Sequence, residues 1–164
     1  MKILYYGGQK SGKSRRAEVK ALNMSDNGKP YYIATYDNSY NDSEMKERIE
    51  KHQHQRKKAF ITIEETKNLN SVIEDGKTYL IDCMSMWLLN TLREDEEVLL
   101  KELELLETNK AHIIFVLNDV NSGVIPVESM SRKYVDRSGI IGQKLAALCD
   151  EVYEIKLGLE IKLK

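Results

Sequence analysis

Cysteine is nearly absent from this chain: Cys83 and Cys149 are the only two, far apart in sequence and each in apolar surroundings. They exclude a disulfide framework and a cysteine-based metal cluster, and read as small core residues without chemistry. An excess of either charge is missing as well. Lys and Arg number 25 against 26 Asp and Glu, a formal net charge of -1, so nothing draws the chain electrostatically onto nucleic acid or an anionic membrane. That balance argues against a helicase or a recombinase. No apolar run approaches the roughly 18 to 20 residues that span a bilayer. The chain enters a strand at once, with no signal peptide, and the expected location is the cytoplasm. Internal repeats, low-complexity tracts and linkers are also lacking. With 164 residues and 41% hydrophobic content, one domain over 1-164 with a sizeable core is expected.

What is present begins at the amino terminus. The run Gly7, Gly8, Gln9, Lys10, Ser11, Gly12, Lys13, Ser14 follows the apolar run Ile3-Leu4-Tyr5-Tyr6 and precedes a helix-forming stretch, Arg15 to Leu22. This is a phosphate-binding loop in its required context, a strand feeding a glycine turn and then a helix. Gly7 and Gly12 permit backbone angles that let successive N–H groups converge on triphosphate oxygens. Lys13 places a compact positive charge near the β and γ phosphates, and the Ser14 hydroxyl is positioned to ligate an accompanying magnesium ion. The helix adds its positive dipole end.

Elsewhere, short apolar or β-branched runs alternate with stretches of helical periodicity, the pattern of a mostly parallel sheet flanked by helices. Strands are expected at Lys2 to Tyr6, Tyr31 to Ala34, Phe60 to Glu64, Thr78 to Asp82, His112 to Leu117 and Glu151 to Lys156. Leu159 to Leu163 should close the chain as an edge hairpin about Gly158. Helices are expected from Asp42 to about Arg56, from Asp95 to Glu107 with an apolar stripe of Val98, Leu99, Leu103 and Leu106, and from Ser131 to Leu148. The acidic cluster Glu94 to Glu97 reads as the negative first turn of a helix rather than a metal site. Asp82, ending an apolar strand, is the expected acidic partner of Ser14 and the magnesium, with Asp119 as the second choice. His112, at the start of a core strand, reads as structural.

Taken with the loop, later blocks make the chain resemble the bifunctional adenosylcobinamide kinase/adenosylcobinamide-phosphate guanylyltransferase family of cobalamin biosynthesis. These blocks are Tyr32-Ile33-Ala34-Thr35, Glu44-Met45, Arg48-Ile49-Glu50-Lys51-His52 with Arg56, and Thr62-Ile63-Glu64. The second half adds Leu80-Ile81-Asp82-Cys83, Trp87-Leu88-Leu89-Asn90, Asn118-Asp119-Val120, Gly123-Val124-Ile125-Pro126, and Gly139 with Gln143-Lys144-Leu145-Ala146. The resemblance implies a P-loop, RecA-like fold and two activities. The first phosphorylates the aminopropanol hydroxyl of adenosylcobinamide from ATP or GTP; the second transfers GMP from GTP to that phosphate through a GMP-histidine intermediate.

By position after Arg-Ile, the implied histidine is His52. A neutral imidazole is a good nucleophile toward an α-phosphorus. On composition alone, a histidine among Lys51, Gln53, His54, Gln55 and Arg56 reads as a solvated surface residue. His54 is the alternative nucleophile, pointing about 160 to 200° away around a helix. The resemblance also implies nucleotide contacts from Ile33, Ala34, Thr35, His52, Gln53, His54, Gln55, Glu64 and Asp82, a corrinoid substrate, and a homotrimer with sites between neighbours. The family pattern more often has Glu at Asp119 and Gly at Asn121, and an arginine and an asparagine where Val135 and Gly142 stand. Two other functions fit the loop alone: a monofunctional small-molecule kinase, and a nucleotide-gated binding module.

Overall fold

The computed structural model describes residues 1–26, 28–37 and 58–164. In chain order the elements are β1 (Lys2–Gly7), α1 (Lys13–Met24), β2 (Tyr31–Ala34), β3 (Ile61–Glu64), a 3-10 turn (Leu69–Val72), β4 (Thr78–Asp82) and α2 (Met84–Asn90). Then follow α3 (Glu96–Thr108), β5 (His112–Asn118), α4 (Ser129–Leu148), β6 (Glu151–Lys156) and β7 (Leu159–Lys162). The strands form one sheet in the order β3-β2-β4-β5-β1-β6-β7. Every pairing is parallel except the antiparallel β6–β7 hairpin at the edge. This is the α/β architecture the alternating pattern predicts, with β1 and its glycine loop near the middle.

The sheet buries both faces. Residues Ile113 to Leu117 of β5 are at most 1% exposed, which is why this strand reads as a continuous apolar run rather than an alternating one. On one face, Ala17 and Ala21 of α1 pack with Ile3, Tyr5, Leu80, Ile114 and Val116. Two alanines four residues apart let the helix backbone approach the sheet closely, which holds the glycine loop at its head against the strand ends. On the other face, α2, α3 and α4 cover Leu4, Ile33, Tyr79, Ile81, Phe115 and Leu117.

The expected helices that fall within the described residues appear with small shifts. The α4 helix starts at Ser129 rather than Ser131, because the Glu128 carboxylate accepts hydrogen bonds from the Met130 and Ser131 amides at 2.8 and 2.6 Å and caps it. Those bonds hold the Glu128 carboxyl below its usual pKa. Asp95 stands at the N-cap of α3 with Glu96 and Glu97 in its first turn, as the acidic cluster implies. Val98 departs from expectation: it is 55% exposed, whereas Leu99, Leu103 and Leu106 are buried. The i, i+4, i+7 set defines the buried face, and Val98 is turned about 100° from it. The α2 helix and the 3-10 turn are additions that the apolar periodicity does not announce. Asp42 to Arg56 lies outside the described residues. His112 opens β5, with its Nδ1 3.2 Å from the Met1 amine.

Leu103 makes a direct test of this packing, since it is wholly buried. Leu103→Ala should lower unfolding free energy by about 3 kcal/mol in a urea titration, whereas Leu105→Ala, at a half-exposed position on the same helix, should change it by less than about 1 kcal/mol.

Candidate active site

All the parallel strands end on one edge of the sheet, and there the glycine loop is held by backbone contacts on both sides. The Asp119 amide donates to the Gly7 carbonyl at 2.9 Å, and the Gly158 amide donates to the Ser11 carbonyl at 3.0 Å. A Cβ on Gly7 would stand 2.3 Å from the Ile155 carbonyl oxygen, a backbone atom with no freedom to withdraw, so only glycine fits. Gly12 has φ near +100°, a conformation that side chains disfavour, and directly precedes the first residue of α1. The Ser11 amide bonds the Gly8 carbonyl at 3.2 Å, closing the loop on itself.

Lys13 is the first residue of α1 and is only 6% exposed. Its Nζ donates to the Gly8 carbonyl at 3.1 Å, laying the side chain across the loop. Burial lowers its pKa, an effect partly offset by Cys83 and Asp82 nearby. The Ser14 hydroxyl meets Asp82 Oδ1 at 3.4 Å, and Tyr32 OH donates to Asp82 Oδ2 at 2.9 Å. The predicted pairing of Ser14 with Asp82, across 68 positions of sequence, is therefore present, with Asp82 steered by Tyr32 of β2. A hydroxyl and a carboxylate are hard oxygen donors, a set suited to magnesium. Among the described residues no three His, Cys, Asp or Glu side chains cluster as a metal cage. A cation here would complete its shell with water and phosphate oxygens.

The other predicted residues divide. Ala34 of β2 is in register with Asp82 on one side and Glu64 on the other, so Ile33, Ala34 and Glu64 reach the same edge as the loop, with Glu64 exposed. Thr35 is fully buried, and its hydroxyl donates to the Cys83 carbonyl at 2.8 Å and accepts from the Cys83 amide at 3.0 Å. Thr35 thus pins the end of β2 to the end of β4. Asn90 extends that clamp, its side-chain amide donating to the Thr35 and Thr66 carbonyls at 2.7 and 3.1 Å. Asn90 and Tyr32 belong to blocks that carry the family resemblance, but the sequence assigns neither a role in the site. His52, Gln53, His54 and Gln55 lie outside the described residues.

Asp119, the second choice for the magnesium partner, serves its own loop instead. Its carboxylate accepts from the Asn121 amide at 3.0 Å and the Ser122 hydroxyl at 2.7 Å. Burial would raise its pKa, but hydrogen bonds from Tyr6 and Ser122 and from the Asn121 and Ser122 amides hold it below the usual range. Cys149 is buried and Cys83 half-buried, and burial pushes both thiols up to about 12.

A strand ending in this glycine loop, a lysine and serine at the head of the following helix, and an aspartate from a neighbouring strand define a P-loop-type α/β protein. The family model described as cobinamide kinase / cobinamide phosphate guanyltransferase matches residues 3–163, and the chain belongs to that family. It is 37% identical to the bifunctional adenosylcobalamin biosynthesis protein CobP of Pseudomonas aeruginosa, across the whole chain and 98% of that relative. It is 30% and 29% identical to the bifunctional adenosylcobalamin biosynthesis proteins CobU of Salmonella typhimurium and Escherichia coli, over the full length of each.

Gly7→Ala tests the loop geometry. With a Cβ forced onto the Ile155 carbonyl, affinity for GTP in titration calorimetry should fall at least tenfold, while Gly8→Ala, whose Cβ meets nothing within 4 Å, should fall by much less.

Proposed function

We propose that this chain carries out both reactions for which its family is named. It phosphorylates the aminopropanol hydroxyl of adenosylcobinamide using ATP or GTP, then transfers GMP from GTP to that phosphate, giving adenosylcobinamide-GDP. The observation that carries this reading is the Gly7 to Ser14 loop, with Ser14 meeting Asp82, in a chain matched by the family along nearly its whole length. Both steps belong in the cytoplasm, where the nucleotides are available.

In the first step the substrate hydroxyl oxygen attacks the γ-phosphorus and gives up its proton to solvent, the bond from that phosphorus to the β–γ bridging oxygen breaks, and the nucleoside diphosphate leaves. The protein's part is positioning and charge neutralisation. Loop amides between Gly8 and Ser14 face the phosphates, and the Lys13 ammonium offsets charge on the β and γ groups. Lys13 is pre-placed by its bond to the Gly8 carbonyl. Ser14 and Asp82 would hold a magnesium ion, which when bound neutralises phosphate charge. Tyr32 keeps the Asp82 carboxylate turned toward Ser14, as an outer partner does for a ligand.

In the second step an imidazole nitrogen of His52 attacks the α-phosphorus of GTP and pyrophosphate leaves. An oxygen of adenosylcobinamide phosphate then displaces the imidazole, breaking the P–N bond. Glu64, exposed at the end of β3, is the acceptor available to a guanine or ribose edge, with Ile33, Ala34 and Thr35 shaping the adjacent strand end. Gln53, His54 and Gln55 complete the set of nucleotide residues, and the working assembly is a homotrimer with sites between neighbours.

Incubation with α-labelled GTP and magnesium should leave an acid-labile, GMP-sized adduct on His52 by intact-protein mass spectrometry. His52→Ala should lose the adduct and guanylyl transfer and keep the phosphorylation of cobinamide. An unlabelled wild-type chain that binds GTP would refute the transferase half. Light scattering should return the trimer mass, and a fully active monomer would refute the assembly.

A further inference from the structure

Between the outer face of α1 and the β6–β7 hairpin lies a cavity of about 570 Å³, a size that small-molecule ligands fill. It starts beside Gly12 and runs along α1 to Asn23, a span of about 16 Å at the rise of a helix. Its polar groups are ordered along that length. Arg15, next to Ser14, stands at the phosphate end. Arg16 Nη2 donates to the Gly158 carbonyl at 3.1 Å, which fixes the guanidinium between helix and hairpin, and Lys20 is paired with Glu151 at 3.0 Å. Glu160 of β7 is in register with Ile155, whose side chain packs on the α1 face of the sheet. Cross-strand partners share a face, so the exposed Glu160 carboxylate is on the cavity side.

We propose that this cavity seats the purine nucleoside of the phosphoryl donor in the first step, at a place distinct from the Glu64 end of the sheet. The proposal deepens the function proposed above and rests on it. Ser14 and Asp82 face the β and γ phosphates, which turns the γ end of a bound triphosphate toward β4. On the sheet, β6 lies on the other side of β1 from β5 and β4. The α-phosphate and its nucleoside therefore leave the loop past Gly12 and Arg15, into the cavity. A purine suits what is there: the planar Arg16 guanidinium offers a face for ring stacking, Val19 offers an apolar one, and Glu160 accepts from N–H groups that adenine and guanine both carry. A further phosphate would meet two cations already committed and a repelling carboxylate.

The sheet order separates this seat from the other. Glu64 ends β3 and Glu160 is on β7, the two outer strands of the seven-stranded sheet, about 29 Å apart at the spacing of neighbouring strands. No single purine touches both. The donor of the first step and the GTP of the second thus lie in opposite directions across the same loop.

Calorimetric titration of the full chain in magnesium tests this, with ATP and with inorganic tripolyphosphate, which has the phosphates and no base. Glu160→Ala should weaken ATP about 3- to 10-fold, the scale of one hydrogen bond made in partial contact with water. It should leave tripolyphosphate unchanged or slightly tighter, because a nearby carboxylate is gone. Val19→Ala should weaken ATP about 2- to 5-fold, the scale of a methyl-sized loss of apolar contact, and leave tripolyphosphate unchanged. Both side chains are exposed, so both variants should hold their Tm, and GTP should label His52 at the wild-type rate in each. Folded variants with unchanged ATP affinity would overturn the seat and leave the proposed function standing. So would ATP and tripolyphosphate weakening together, which would make the cavity a support of the loop. Labelling of His52 that slows in step with ATP affinity would overturn the separation of the two seats. If the variants behave as expected and the wild-type chain fails to phosphorylate cobinamide, the function falls and the nucleoside seat remains.

Discussion

The contact on which the site depends is the one between the end of β1 and the strands beside it. Gly7 lies so close to the Ile155 carbonyl that a single carbon would collide with it, while its own carbonyl takes the Asp119 amide. The loop is therefore fixed by backbone atoms of β5, β6 and the hairpin turn, not by its own flexible side chains. A loop so held presents its amides without rearrangement, the condition under which aligned dipoles stabilise developing charge most effectively. The sheet order is what allows this, since it sets β1 between β5 and β6.

A second anchoring holds the acidic side of the site. Thr35 ties the end of β2 to the end of β4 through the Cys83 carbonyl and amide, Asn90 of α2 donates to the Thr35 carbonyl, and Tyr32 of β2 braces the Asp82 carboxylate of β4. Asp82 consequently reaches Ser14 across the intervening β5. Under the proposed function, the two anchored halves would leave a triphosphate between a cationic, amide-rich loop and a hydroxyl–carboxylate pair. One such seat would serve either proposed step, attack at the γ-phosphorus by an alcohol or at the α-phosphorus by an imidazole.

Much of this was readable in the sequence because the signals were local. The glycine loop, the continuous apolar run of β5 and the turn about Gly158 each carry their meaning in adjacent residues, and all stand where expected. The Leu157–Gly158 turn, with both φ angles positive, is the two-residue form that joins antiparallel strands. What stayed hidden depended on distant partners. The α2 helix is short and buried on most sides, with Met84, Trp87 and Leu88 at 1% exposure or less, so it has no polar face to produce a helical period. Glu128 as a cap breaks the usual preference for smaller side chains. Tyr31 and Tyr32 are alike in sequence, and only the strand's alternation decides that Tyr32 faces Asp82.

The central claim is that the Gly7 to Ser14 loop grips the triphosphate. A crystal structure of the chain with magnesium and a non-hydrolysable GTP analogue tests it most directly. The account predicts β and γ phosphate oxygens within about 3 Å of the Gly8 to Ser14 amides and of Lys13 Nζ, with Ser14 and Asp82 facing the metal. An analogue bound elsewhere, with that loop free of phosphate, would contradict it.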